Sequence, residues 1–272
     1  MKAFVIASGV SANDGLPCEL PVHQAAARME EDTVLWWFSY KDILGRHGYR
    51  YMPLGAQLAL AATRAALNNV EAPQSRSLWL ATSTYGAAIH EMFNVMSFSA
   101  GPEAIGPATA PYFSANLLGA RVAEEYQCQA GACMFSDPVG AGLHALEAAI
   151  NGLDAGRGEE ALVVAAEAPT ENVQAQVGGG QFAAALVLGH PRNGDSGGKP
   201  ASMLTIERSP SDQGEVIGIE LRIGSDIFIY PNASSVLRLI AWASHCRQAV
   251  EMQVRLRCQN IMITLNPDCS RR

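Results

Sequence analysis

The side chains able to do covalent chemistry gather in one stretch. Cys133, Ser136, Asp137 and His144 supply a thiol, a hydroxyl, a carboxylate and an imidazole within residues 133–144, the parts from which acyl-transfer and hydrolytic sites are built. Each also has a plain reading. Cys133 lies in the apolar run 130–135, which predicts a buried strand and an inert thiol with a raised pKa. Ser136 and Asp137, just ahead of Pro138, form a turn pattern with no histidine beside them in sequence. His144 falls on the following helix, where one local hydrogen bond would satisfy it.

The elements that must position these groups can be read around them. The strand breaks at Asp137-Pro138, because proline cannot continue a central strand and disfavours a helical residue before it. Gly140, Ala141 and Gly142 open a helix whose apolar positions Leu143, Leu146, Ala149, Ile150 and Leu153 recur at three- and four-residue spacing. Gly156 and Gly158 end it, and residues 161–166 read as a second buried strand. This strand, tight turn, helix, strand unit places small residues where a substrate or a second backbone comes close. A nucleophile at the turn would gain from the backbone N–H groups and dipole of the helix N-terminus.

Composition narrows the class. The chain has 272 residues, 49% hydrophobic and only 17% charged, with a formal net charge of −7. Such a lean surface charge predicts a large subunit interface, and no basic patch offers itself to nucleic acid or an anionic membrane. The six cysteines, at 18, 128, 133, 246, 258 and 269, contain no CxxC pair and no zinc spacing, so free thiols and no metal are expected. The apolar start, residues 1–6, turns polar too soon for a signal peptide, and no run has the length to cross a bilayer. These features predict a cytoplasmic protein without a cofactor.

Along the chain, residues 3–7 predict a first strand and 36–40 (Trp36, Trp37, Phe38, Tyr40) an aromatic cluster in a satellite core. Pro53 starts an apolar helix over 54–67 that Asn68-Asn69 end. Residues 78–82 form the next strand, 83–86 a turn, and His90 a satisfied histidine on the helix after it. A proline-containing loop over 101–110 and a helix over 115–127 lead into the central unit. After Glu167 come a glycine-rich loop (169–180), too unlike a phosphate-binding loop to be one, and a strand over 181–188. Residues 191–204 read as a linker or hairpin. Paired strands over 216–230, a helix over 232–250 and a strand over 251–265 predict a closing β, α, β segment.

The stretch from Pro111, Tyr112, Phe113 and Asn116 through Glu167-Ala168 resembles the N-terminal half of β-ketoacyl synthases of the thiolase superfamily. Gly142-Leu143-His144 lies on that family's Gly-Val-His, and 163–167 on its Ala-Gly-Gly-Ala-Glu strand end. The alignment puts Val139 at the position of the nucleophilic cysteine. The family's two C-terminal histidine motifs are absent as well, so the resemblance is to the chain-length-factor type, which pairs with an active synthase, as in aryl polyene and type II polyketide systems.

That resemblance implies a thiolase-like layered αβαβα fold of the α/β class. Residues 1–190 would be the ketosynthase-like half and 205–272 a reduced C-terminal βαβ half. It implies no catalytic residue, a heterodimer with an active β-ketoacyl synthase through the strand 130–135, and acyl carrier protein engaged mainly through that partner. Tyr112, Phe113, Asn116, Leu117, Cys133, Met134 and Phe135 would line the acyl tunnel or the interface. Two alternatives stay open: a stand-alone thiolase-fold acyltransferase or hydrolase using Cys133 or Ser136, and a homo-oligomeric acyl-binding module.

Overall fold

The computed structural model describes residues 1–10, 20–30, 38–68, 70, 75–107, 110–114, 116–170, 172, 180–190, 202–210, 219–230, 232–256 and 259–267. Trp36 and Trp37, nearly all of the glycine-rich loop and residues 191–200 lie outside them.

Residues β-branched, apolar or alternating in pattern build ten strands. They are β1 (Lys2–Val10), β2 (Arg76–Ala81), β3 (Ala132–Phe135), β4 (Glu160–Glu167), β5 (Phe182–Gly189), β6 (Ser202–Pro210), β7 (Ile219–Ile223), β8 (Asp226–Tyr230), β9 (Val250–Leu256) and β10 (Gln259–Asn266). They join in one mixed sheet of order β3-β2-β4-β5-β1-β6-β10-β9-β7-β8. β2 runs parallel to both β3 and β4, and the remaining pairs are antiparallel.

The α-helices among the described residues are α1 (Val22–Glu30), α2 (Tyr40–Ile43), α3 (Leu54–Leu67), α4 (Tyr85–Ala100), α5 (Asn116–Glu125), α6 (Ala141–Asp154) and α7 (Ser234–His245). The described residues of β4 and β5 are apolar on both faces, as strands covered twice must be. Leu162, Val164, Ala185 and Val187 face a core shared with α3, α4 and α5. Ala161, Val163, Leu186 and Leu188 face a second core that holds α6 and α7. That second core also takes the inward residues of the other half of the sheet, among them Ile206, Leu221, Val254 and Ile263. The layers therefore run helix, sheet, helix, sheet, with α6 and α7 enclosed between the two sheet halves. Each fully buried Leu or Ile there contributes about 1.5–3 kcal/mol by leaving water.

The second half of the sheet follows a period of two. β9 and β10 alternate buried residues with Glu251, Gln253, Arg255, Asn260, Met262 and Thr264 on the outer face. No helix covers that face among the described residues, and its polar surface is tied by Arg222 and Arg255 to Glu220. This half differs from the sequence expectation in detail. The helix predicted over 232–250 spans only Ser234–His245, and the strand over 251–265 is a hairpin, because helical spacing gives way to strict alternation at Val250.

Two further expectations are corrected. The strand around Cys133 is not buried. β3 lies at the end of the sheet with Ala132 and Cys133 exposed, since an apolar run alone does not tell a central strand from an edge. Cys246 is disulfide-bonded rather than a free thiol, whereas Cys128 and Cys133 are free.

Gly9 in β1 shows how tightly the first layer is closed. A Cβ there would meet the Ala62 carbonyl at 2.3 Å and the Ala66 nitrogen at 2.5 Å on α3, and backbone cannot yield as a flexible side chain does. Gly9→Ala is expected to cost about 2 kcal/mol of unfolding free energy by overpacking, seen as a lower urea midpoint at unchanged slope. An unchanged midpoint would disprove this close packing.

Candidate functional site

The turn between β3 and α6 is built by Asp137. Its Oδ1 accepts the Val139 N–H at 3.2 Å and its Oδ2 the Gly140 N–H at 3.0 Å, so the carboxylate closes the turn just ahead of α6, near the positive end of its dipole. His144, one turn into α6, places Nδ1 3.5 Å from the same Oδ2, and its ring lies 6.5 Å from that of Phe135. Two glycines permit this geometry. A Cβ on Gly140 would strike Asp137 Oδ2 at 2.6 Å, and one on Gly142 would strike the Ala233 carbonyl at 2.5 Å. From the other half of the chain, the Ala233 N–H donates to the Val139 carbonyl at 2.7 Å.

Position 139 therefore occupies the strand-to-helix elbow, as the resemblance implied, and it carries a half-buried valine packed on the inner core. The Val139 and Gly140 N–H groups of that turn are taken by Asp137.

Behind the elbow, Glu167 closes β4 inside the protein. Its carboxylate accepts the Ser83 N–H (2.9 and 3.1 Å), the Thr84 N–H (3.1 Å), the Thr84 hydroxyl (2.7 Å) and the Ser234 hydroxyl (2.6 Å). Burial raises its pKa, and the four donors only partly oppose that rise. Arg238, one turn after Ser234, holds its guanidinium 4.9 Å from the ring of Phe182, the cross-strand partner of Glu167. The sequence offered one signal for this network, a Glu closing the apolar run 161–166 of β4.

The sequence-predicted residues divide between the two faces of the sheet. Tyr112, Leu117 and Met134 belong to the core around α3, α4 and α5. Phe135 and Val139 belong to the core around α6 and α7. Tyr112 is buried, and burial raises its phenol pKa against the opposing effect of Arg121. The neighbouring phenol of Tyr85 is raised by burial and then by Tyr112. Phe113 and Asn116 are exposed, as are Cys133 and Ser136. The thiol that burial does suppress is Cys128, pushed up to about 11.

Sequence reasoning left His90 without a partner. The structure puts its ring 4.2 Å from that of Phe113, with Phe93 stacked on the same ring at 5.6 Å. No chain pattern could have joined residues 90 and 113 across a proline-containing loop.

No family model and no curated protein matches the sequence. Solved structures do match its fold. One is a chain of AntDE:AntF, a type II PKS acyl-carrier protein in complex with its ketosynthase bound to the hexaketide. It shares 15% identity at a TM-score of 0.70 over 97% of this chain and 99% of that one. A second is the ketosynthase ApeO in complex with its chain length factor ApeC from Xenorhabdus doucetiae, with 12% identity, a TM-score of 0.60 and coverages of 97% and 99%. A third is a β-ketoacyl synthase from Burkholderia phymatum STM815, with 14% identity, a TM-score of 0.60, and coverages of 90% of this chain and 70% of that chain. The fold is thus the thiolase-like layered fold of ketosynthases.

Two outcomes test this site. Val139→Cys alone should yield an ordinary thiol, while Val139→Cys combined with Asp137→Ala should alkylate faster by on the order of tenfold, the effect of one pKa unit. Equal rates would refute the view that Asp137 occupies the helix terminus. Glu167→Ala strands four buried donors and should cost about 3 kcal/mol or more. Because the folded pKa is raised, the Glu167 titration contributes fully below about 4.5 and fades as pH rises through the folded value. The penalty of Glu167→Ala should therefore be larger at acid than at neutral pH, and chemical denaturation at two pH values would expose the reverse.

Proposed function

We propose that this chain is a non-catalytic, chain-length-factor-like subunit that pairs with an active β-ketoacyl synthase and shapes its acyl tunnel. The assembly would work in type II polyketide, polyene or fatty-acid-like biosynthesis. One observation carries the reading: at the elbow of a ketosynthase fold stands Val139, with Asp137 on the Val139 and Gly140 N–H groups of that turn. Valine has no lone pair with which to attack a thioester.

The sheet supports it. Among the described residues β3 pairs only with β2, so its free edge is suited to accept the equivalent strand of a partner. The contacts of the 3-10 turn Ala110–Phe113 with α5, and of α5 with β3, support a place for Tyr112, Phe113, Asn116 and Leu117 near that edge. Condensation would occur at the partner's cysteine. With a net charge of −7, this subunit would repel an acidic acyl carrier protein and leave its docking mainly to the partner.

In this reading residues 1–190 form the ketosynthase-like half and 205–272 the reduced half. The subunit holds no cofactor and works in the cytoplasm. The described helices include none long and apolar enough to cross a membrane.

The exposure of Cys133 favours one competitor, an acyltransferase that uses this thiol, and a single experiment separates the two. The chain is co-expressed with the full-length β-ketoacyl synthase of its source organism and the eluted complex is weighed. A one-to-one complex is expected, in which alkylation of Cys133 slows on the order of tenfold or more. A stable homodimer that ignores the synthase, or acylation of Cys133 by an acyl thioester, would overturn the proposal.

A further inference from the structure

β8 closes the end of the sheet remote from β3, and among the described residues it pairs only with β7. Its sequence, Asp-Ile-Phe-Ile-Tyr, holds no proline and no charge beyond Asp226. The register with β7 decides where its backbone groups point. The two strands join through the two-residue turn Gly224-Ser225, with Ile223 opposite Asp226 and Gly224 at φ +61°. The pair that closes such a turn exchanges both of its hydrogen bonds. Exchanging and non-exchanging pairs alternate along an antiparallel ladder, so Asp226, Phe228 and Tyr230 bond to β7. Ile227 and Ile229 turn their N–H and C=O groups to the open edge.

The same two residues carry the exposed side chains. Ile227 is 53% and Ile229 52% exposed, while Phe228 and Tyr230 are buried in the inner core. On β7, Arg222 stands opposite Ile227 and Glu220 opposite Ile229. The edge therefore offers unpaired backbone donors and acceptors, two isoleucines and, behind them, one charge of each sign.

We infer that β8 pairs with β8 of a second copy of this chain, antiparallel about a twofold axis at Phe228, and so continues the sheet from one copy into the next. The edge is complementary to itself. With Phe228 facing its counterpart, Ile227 lies opposite the second copy's Ile229, and each such pair exchanges both hydrogen bonds. Asp226 falls opposite Tyr230 rather than another carboxylate. Each exposed row then reads Arg222, Ile227, Ile229, Glu220 across the joint, with opposite charges supplied by the two copies. An axis at Ile227 would set Arg222 toward Arg222, and one at Ile229 would set Glu220 toward Glu220, so charge selects the register centred on Phe228. Because β3 and β8 stand at opposite ends of the sheet, this pairing leaves β3 to a synthase and does not depend on the subunit role proposed above. A joint this short buries little area, which makes the association concentration-dependent rather than permanent.

The test is sedimentation velocity on the full chain, alone and in complex with its synthase, from about 1 to about 100 μM. In both samples the mass is expected to double as concentration rises. Ile227→Lys combined with Ile229→Lys sets like charges opposite each other and should weaken the association on the order of a hundredfold. Ile227→Glu combined with Ile229→Lys sets opposite charges across the joint and beside Arg222 and Glu220, and should keep it within about tenfold of wild type. Both variants change exposed side chains only, so the fold is retained. Three outcomes overturn the inference: a chain that stays single at the highest concentration, a first variant that associates like wild type, or a second variant as weak as the first. Loss of synthase binding would instead overturn the subunit role, and the chain alone would still decide the pairing of β8.

Discussion

Glu167 ends the strand β4 with a carboxylate that is almost fully enclosed, and its donors come from two distant places in the chain. Ser83 and Thr84 belong to the turn between β2 and α4, and Ser234 opens α7. The charge is expensive to bury, and four donors with one carboxylate make it tolerable only when all are in place. The network therefore works as a register device. It fixes the start of α4, the end of β4 and the start of α7 relative to one another, and with them both helical layers. Ala233, next to Ser234, then donates to Val139, so the elbow inherits its position from the same cluster.

At that elbow, the physical conditions for activating a nucleophile and for merely closing a turn are nearly alike. Both need small residues, a helix N-terminus and free N–H groups. What separates them is who occupies the donors. Here Asp137 takes the Val139 and Gly140 N–H groups from within the turn, and a carboxylate fixed ahead of α6 stabilises the helix whereas a vacant anion site does not. His144 completes the arrangement as a neighbour of that carboxylate.

Much of this was legible in the residues. The period-3.6 pattern of α6, its closing glycines at φ +74° and +93°, and the apolar strand β4 stand where the spacing put them. The elbow and its valine followed from resemblance to a known fold. What the residues hid is of two kinds. Edge position was one, since the four residues of β3 read the same whether one neighbour or two lie beside them. Long-range pairing was the other, as between His90 and Phe113 or between Glu167 and Ser234, because side chains remote in sequence meet only once the layers have stacked. The hairpin of β9 and β10 was lost for a simpler reason. Helical and alternating patterns adjoin at Val250 without a glycine or proline to separate them.

The open surfaces of the sheet are finished differently. The outer face of the second half carries Glu220, Arg222, Gln253 and Arg255, with the largely enclosed Glu220 and Arg255 paired to each other and Glu220 also to Arg222. β8, at one end, exposes Ile227 and Ile229 but begins with a charged Asp226. β3, at the other end, shows Ala132 and Cys133 and has no charged residue or proline in Ala132–Phe135. Edges that face water for a protein's lifetime are usually blunted by charge, proline or a bulge, since an unprotected edge is a template for pairing. β3 is thus an unblunted edge, whereas the outer face of the second half carries charges already paired with one another; the same sheet ends in two physically different surfaces.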